Sequence, residues 1–340
     1  MYKNTWGDPD FPNFSRYFTE MFSADSEVTD AAYRMGLNVF FSSVKKYTPT
    51  LSESDSDWLP SIYIYLGIGA VDAAIRDSNE VTFSGGSSYC HTPVSGNIPP
   101  KFNPENKWVK RCLTAYAYLL SVWEEDFCFI PYIHRSPLDA ANGYRGNDLF
   151  YDFYDKPDAV KDLARSCADW IIAFEKYCVR ENNAPEGWGR AVWGTYIDEN
   201  ALFVNGDIVD LIAPDLIREF EQPYTEAVFT ATGPGFFHHH AIGLDKVSLI
   251  AERNAMHVQA ILSDPSTPIP AEVITRDEQL ATEVCNASLK APIMLCGFSP
   301  DSIDALIPII REGRFILAPG VDDAAYEVMR KKLDRYRLCL

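Results

Sequence analysis

The stretch that organises the sequence is Gly235-Phe-Phe-His-His-His-Ala-Ile-Gly243, a short apolar run that ends in polar residues. Ahead of it, a helical pattern opens at Pro214 and ends near Gly233. Behind it, residues 244–253 predict another helix and residues 258–262 a further strand. Helix, strand, helix and strand in this order are the parts of a βαβ crossover. The run therefore predicts a strand that carries three histidines at its carboxyl end.

The three histidines are predicted to divide between the two faces of that strand. Side chains alternate along a strand, so His238 and His240 share one face while His239 takes the other. Ligands collect at the carboxyl ends of strands in a parallel sheet or barrel. The position favours a functional site over a purely structural role.

Helices and strands alternate along most of the remaining chain. The other predicted strands are residues 127–133, 191–197, 201–204, 292–295 and 315–318. The other predicted helices are residues 108–122, 156–177, 277–288, 303–310 and 323–336. This alternation, without hairpin signals, predicts an α/β fold, a TIM (β/α)8 barrel over residues 58–340. A doubly wound sheet is the alternative.

The segments outside this alternation are predicted separately. Helical signals at residues 13–22 and 29–43 predict an N-terminal helical extension over residues 1–57. Residues 82–107 are rich in Gly, Ser, Pro and Asn, which favours a long ordered loop or lid.

Composition excludes several classes of partner. The chain has 340 residues, 47% of them hydrophobic, and a net charge of −18. Such an acidic surface repels phosphate backbones and anionic lipids, so we expect no nucleic acid and no membrane partner. There is no apolar signal core, and the eight scattered cysteines include no CxxC pair. Both features predict a cytoplasmic protein with reduced thiols, and a homodimer is left open.

Five motifs occur in an order that resembles one known superfamily. They are Pro-Leu-Asp-Ala with Arg-Gly in residues 136–146, a helix start at 150–158, residues 207–224, His240 to Gly243, and Ile-Leu-Ala-Pro-Gly at 316–320. Together they resemble the uroporphyrinogen decarboxylase superfamily over residues 58–337. That superfamily includes the haem-pathway decarboxylase and the corrinoid-dependent methyltransferases.

The resemblance implies a (β/α)8 barrel with its active cleft at the carboxyl ends of the strands. It implies either methyl transfer, with a corrinoid such as methylcobalamin presented by a partner protein, or decarboxylation of a tetrapyrrole carboxylate. His240 is the position that matches the family histidine. A third alternative, from another class, is a non-catalytic barrel that binds a small molecule.

Two departures from the family pattern favour methyl transfer without the usual zinc site. The arginine-rich loop with which the decarboxylases hold their substrate has no counterpart in residues 1–60. The methyltransferases bind zinc through one His and two Cys, but Ile242 and Val321 stand at the two cysteine positions here. Cys296 ends a neighbouring predicted strand and could replace a missing thiolate.

The histidine run itself has three interpretations. His238 and His240 could bind a divalent metal such as zinc, together with a carboxylate such as Asp207 or Asp264. His240 could instead act as a catalytic acid or base or bind substrate, with Asp207 as its catalytic partner. The third interpretation is a set of hydrogen-bonded histidines with a structural role.

Further candidates for substrate binding also lie near predicted strand ends. His134 and Arg135 follow one strand and could hold an anionic group, and Asn205 follows another. Trp193 and Tyr196 could line a pocket for a planar or methylated ligand. His238 completes this set.

Overall fold

A computed structural model of the chain provides the fold. It describes residues 37–46, 58–66, 74–76, 82–84, 87–89, 101–110, 128–133, 135–179, 188–192, 195–197, 202–263, 267–318 and 323–335. The chain divides into two compact units, Met1–Asn200 and Ala201–Leu340. The predicted boundary between residues 57 and 58 stays a prediction.

The first unit contains a mixed sheet. Its strands are β1 (Leu37–Lys46), β2 (Trp58–Leu66), β3 (Thr82–Ser84), β4 (Ser87–Tyr89), β5 (Cys128–Ile133), β6 (Trp188–Val192) and β7 (Thr195–Ile197). Five of these strands form the mixed sheet, in the order β5-β2-β1-β6-β7. The other two, β3 and β4, form a separate two-stranded sheet. Only β2 and β5 are parallel within the described residues of this unit.

Two sequence predictions fail in this unit. Residues 37–43, predicted as helix, belong to β1, which pairs antiparallel with β2 from Leu37 to Lys45. The run Val39-Phe40-Phe41 is β-branched and aromatic, and such residues favour strands once a partner strand is present. The predicted absence of hairpins is also wrong, because β6 and β7 pair antiparallel and so do β3 and β4, which lie within the loop predicted at residues 82–107. Residues 1–36 and 47–57 lie outside the described part of the chain.

Helices of the first unit follow β5. They are α1 (Pro137–Arg145), α2 (Leu149–Asp155) and α3 (Pro157–Val179). Ser136 caps α1, because its hydroxyl accepts a hydrogen bond of 3.1 Å from the Asp139 amide and donates one to the Asp139 carboxylate. In α3, the indole of Trp170 stacks on Phe174 one turn later, with ring centroids 5.4 Å apart. The long helix predicted at residues 156–177 is confirmed.

The second unit is built on a parallel sheet. Its strands are β8 (Leu202–Asn205), β9 (Gly235–His240), β10 (Met256–Leu262), β11 (Ile293–Cys296) and β12 (Phe315–Ala318), and they lie side by side in this order. All four pairings are parallel. Every described residue of β8 is buried, as is typical of parallel strands covered on both faces.

Helical segments connect these strands. They are α4 (Pro214–Leu216), which continues through a π-helical turn (Ile217–Glu221) into α5 (Gln222–Thr232), then α6 (Val247–Ile250), α7 (Pro270–Arg276), α8 (Glu278–Lys290), α9 (Ile303–Ile310) and α10 (Asp323–Arg335). Short 3-10 turns follow β8 at Asp207–Asp210 and β9 at Ala241–Lys246. The single helix predicted at residues 244–253 is therefore part 3-10 turn and part α6.

The two units together establish an α/β protein with a five-stranded parallel sheet. Closure into a (β/α)8 barrel stays a prediction. Among the described residues, no helix combines the length and apolarity that a membrane crossing requires.

Candidate functional site

The candidate site lies where β8 and β9 end at the carboxyl edge of the parallel sheet. Asn205, the last residue of β8, is opposite His238 in the register of the two strands. The amide of Gly206 then donates a hydrogen bond of 2.8 Å to the carbonyl of His238. Because this bond ties the chain after β8 to β9, Asp207 begins its 3-10 turn beside the histidine run.

Two histidines and one carboxylate converge at this edge. The Nε2 atoms of His238 and His240 lie 3.4 Å and 3.3 Å from Oδ1 of Asp207. The two imidazole rings meet edge to face, with centroids 4.8 Å apart and an interplanar angle of 73°. His238 and His240 therefore share one face, as the alternation of β9 predicts.

Asn205 orients the carboxylate. Its side-chain amide donates a hydrogen bond of 2.7 Å to Oδ2 of Asp207. Within the described residues, Oδ1 is buried and accepts no hydrogen bond of ordinary geometry. One oxygen of Asp207 is thus held by Asn205, and the other faces the two imidazoles.

The surroundings set the charge state of the cluster. Burial acts to raise the pKa of Asp207, but His238, His240 and the Asn205 amide outweigh it and hold that pKa well below its usual range. Burial also lowers the pKa of His238, although the nearby Asp207 carboxylate opposes this. The favoured state is an ionised carboxylate beside a neutral His238.

The opposite face of β9 carries a different arrangement. His239 is fully buried, and its Nε2 lies 2.7 Å from the amide nitrogen of Gln259 on β10. That amide can only donate, so Nε2 accepts and Nδ1 carries the proton. Nδ1 lies 3.0 Å from the carbonyl of His240, which accepts its hydrogen bond, and 3.4 Å from Oδ1 of Asp210.

Asp210 links this buried face to the cluster. Its Oδ2 accepts a hydrogen bond of 2.9 Å from the backbone amide of His240. Its own carbonyl accepts one of 3.0 Å from Nζ of Lys246. A Cβ on Gly243 would lie 2.0 Å from Oδ1 of Asp210, so this packing requires glycine. Asp210 thereby fixes the backbone that carries His240.

Asp210 and Gln259 are residues that sequence reasoning missed. Asp210 follows Asp207 by three residues, which is one turn of a 3-10 helix, and this spacing was the available signal. Gln259 provided a weaker signal, a polar residue between Val258 and Ala260 in an apolar part of the strand.

The other predicted site residues lie elsewhere. Arg135 follows β5 and is partly buried, and Tyr196 lies in β7, so both belong to the first unit. His134, Trp193 and Asp264 lie outside the described residues. Their roles in binding stay predictions.

The candidate thiolate Cys296 is not part of the cluster. It ends β11, which β10 separates from β9 in the sheet. Burial raises the pKa of Cys296 to about 12, so the thiol is held protonated. Ile242, which stands at one of the two cysteine positions of the family pattern, is exposed within the 3-10 turn after β9. The described residues therefore offer the histidines no thiolate here.

Comparisons with known proteins place few limits on the function. No protein-family model matches the sequence. No curated protein matches it either. Among solved structures, a methyltransferase from Methanosarcina mazei is 12% identical, with a TM-score of 0.44 over 81% of this chain and 81% of its own.

A second similar structure is a B12-independent methionine synthase from a Shewanella species, in complex with selenomethionine. It is 9% identical, with a TM-score of 0.39 over 91% of this chain and 80% of its own. Both TM-scores lie below 0.5, so neither similarity identifies the reaction of this chain.

Proposed function

We propose that this chain is an enzyme acting on a small molecule at the carboxyl edge of its parallel sheet. Its reactive centre would consist of Asp207, His238 and His240. The observation that carries the proposal is the convergence of two imidazole Nε2 atoms on Oδ1 of Asp207, at 3.4 Å and 3.3 Å. Clusters of ionisable groups with perturbed pKa values occur most often at functional sites.

A purely structural role explains this cluster less well. A buried polar atom is normally hydrogen-bonded, because a missing partner costs about 1–3 kcal/mol. Oδ1 of Asp207 is buried and accepts no hydrogen bond within the described residues. An unsatisfied buried oxygen beside two imidazoles is typical of groups that bind a ligand or act in catalysis.

The reaction class we favour is methyl transfer. The ordered motifs of residues 136–320 resemble a superfamily in which corrinoid-dependent methyltransferases occur. We propose methylcobalamin, presented by a corrinoid partner protein, as the methyl donor and a thiol as the acceptor. The carbon–cobalt bond would break with both electrons staying on cobalt, which would become Co(I), and the methyl group would form a carbon–sulfur bond. The thiol proton would pass to solvent.

Tetrapyrrole decarboxylation has less support from the site. A substrate with many carboxylates requires several clustered cations. The buried cations of the second unit's described residues are Lys246 and Arg253. Lys246 donates to the Asp210 carbonyl, and Arg253 forms a buried ion pair with Glu221. Both cations therefore already have partners within the protein and do not form a cluster for substrate carboxylates.

The test is an assay of methylcobalamin consumption in the presence of a small thiol. The change in the visible spectrum of methylcobalamin measures this consumption. We expect the unmodified chain to form the methyl thioether and the variants Asp207→Ala and His240→Ala to lose this activity. His257→Ala, which removes a histidine of β10 outside the cluster, is the matched control. Equal turnover by all four proteins would refute the assignment of the centre. Conversion of uroporphyrinogen to less carboxylated products would replace methyl transfer with decarboxylation.

A further inference from the structure

We infer that Asp207, His238 and His240 bind one zinc ion and leave its fourth coordination position open. The inference rests on the proposed function only for the use of the metal, because binding follows from the geometry of the three residues. Their ligand atoms all lie within 4.8 Å of one another.

Two of the three distances between ligand atoms match a tetrahedral ion. The third, between the two Nε2 atoms, is at most 4.8 Å. Ligand atoms about 2.1 Å from a tetrahedral zinc ion lie about 3.4 Å from one another. The two Nε2 to Oδ1 distances are 3.4 Å and 3.3 Å. An octahedral magnesium ion at about 2.1 Å would hold neighbouring ligands about 3.0 Å apart. Imidazole donors also favour zinc over magnesium or calcium.

The same distances are poor for direct hydrogen bonds. An N–H···O hydrogen bond normally spans about 2.7–3.2 Å. Both imidazole nitrogens lie farther than this from Oδ1 of Asp207. An ion between the three atoms would provide the buried oxygen with the partner that the described residues do not supply.

Neighbouring groups hold the proposed ligands in place. Asn205 fixes the far oxygen of Asp207 with its hydrogen bond of 2.7 Å. The ring of Phe203 on β8 stacks on His238, with centroids 6.0 Å apart at 22°. Asp210 holds the backbone amide of His240. Such supporting contacts orient the ligand side chains and raise the affinity of the site for its metal.

This ligand set differs from the one that the family resemblance implies. The usual set is one His and two Cys, but Ile242 is apolar and Cys296 lies two strands from β9. Two His and one carboxylate with an open position form a known type of catalytic zinc site. When bound, zinc lowers the pKa of a water or thiol in the open position.

The experiment measures metal directly on the full chain purified without a histidine tag. After removal of metal with a chelator and dialysis against zinc, elemental analysis should find about one zinc per chain. Asp207→Ala and His240→Ala should weaken zinc binding at least about 100-fold, because changes in supporting residues alone cost about 10- to 100-fold. His257→Ala should bind zinc as the unmodified chain does.

Cobalt(II) provides an independent reading, because its visible absorption reports coordination geometry. We expect the intense bands of a tetrahedral site, and their loss in Asp207→Asn and His240→Gln, which preserve side-chain size. Unchanged zinc content in these variants, or an octahedral cobalt spectrum, would overturn the inference. Zinc binding without methyl transfer would refute only the proposed reaction, whereas methyl transfer by the metal-free chain would refute only the use of zinc in that reaction.

Discussion

The histidines on the two faces of β9 have different surroundings. On one face, both ring nitrogens of the fully buried His239 have close partners, namely the Gln259 amide at 2.7 Å and the His240 carbonyl at 3.0 Å. On the other face, His238 and His240 lie 3.4 Å and 3.3 Å from a carboxylate oxygen that accepts no ordinary hydrogen bond among the described residues. Pairing of both ring nitrogens stabilises the fold around His239, whereas the open oxygen of Asp207 leaves capacity for a ligand. Our proposal therefore gives a structural role to His239 and a chemical role to the face with His238 and His240.

The largest effect that would test this division is on catalysis. Asp207→Asn keeps the shape of the side chain but removes its charge. We expect methyl-transfer turnover to fall about 1,000-fold, within the range of about 100- to 10,000-fold for groups acting on the reacting atoms. The free energy of unfolding at about pH 7 should fall as well, because the lowered pKa of Asp207 means that its ionised form stabilises the fold above about pH 4. Turnover assays and urea denaturation measure the two quantities.

The next effect is on stability and comes from the buried face. Asp210→Ala should lower the free energy of unfolding by about 3 kcal/mol, because the buried backbone amide of His240 loses its carboxylate partner. Urea denaturation measures this loss. Asp245→Ala, which removes an exposed carboxylate from the neighbouring turn, should change it by less than about 0.5 kcal/mol. Equal losses in both variants would contradict the role of Asp210.

A double substitution sharpens the same comparison. Gly243→Ala should destabilise the fold by about 2 kcal/mol, since its Cβ would lie 2.0 Å from the Asp210 carboxylate. In an Asp210→Ala background the clash disappears, so the same change should cost much less. A double-mutant cycle by urea denaturation measures the coupling. Additive effects would show that Gly243 does not act through Asp210.

A smaller effect on turnover is expected from Asn205. Its amide holds Oδ2 of Asp207, so Asn205→Ala should let the carboxylate rotate and lower turnover about 10-fold. Asn205→Asp, which cannot donate this hydrogen bond, should act in the same direction. Steady-state kinetics of both variants provide the measurement, and unchanged rates would remove Asn205 from the centre.

The smallest effect concerns the thiol on β11. Burial raises the pKa of Cys296 to about 12, so raising the pH from 7 to 9 should leave it a protonated thiol, whereas a free thiol, with a pKa of about 8.5, ionises over this range. We therefore expect iodoacetamide to label Cys296 slowly in the folded chain throughout this range and rapidly in urea. Peptide mass spectrometry follows the labelling. Rapid reaction of the folded chain would restore Cys296 as a candidate thiolate.

The parallel sheet was largely predictable from sequence. Strands buried on both faces appear as short apolar runs, and the runs at residues 258–262 and 292–295 match the largely buried strands β10 and β11 to within two residues. The run at residues 315–318 is the half-buried strand β12 itself. The predicted helix at residues 303–310 is α9 itself. The mixed sheet was not predictable in the same way, because β1 depends on pairing with β2 rather than on its own spacing.

The candidate site was predictable only in part. Alternation along β9 placed His238 and His240 on one face, and the end of β8 indicated Asp207 and Asn205. The contacts of His239 depend on the register of β10, in which Gln259 lies opposite Phe237. No local pattern encodes that register, so the supporting network became visible only in the fold.

The hydrogen bond from Gly206 to the His238 carbonyl ties the end of β8 to β9. A single insertion within β9, between Gly235 and His238, would turn each following side chain to the other side of the sheet. The run would remain in the sequence, but one imidazole instead of two would then reach Asp207. Among relatives of this chain, a conserved interval between Gly235 and His238 should therefore track activity more closely than the number of histidines does.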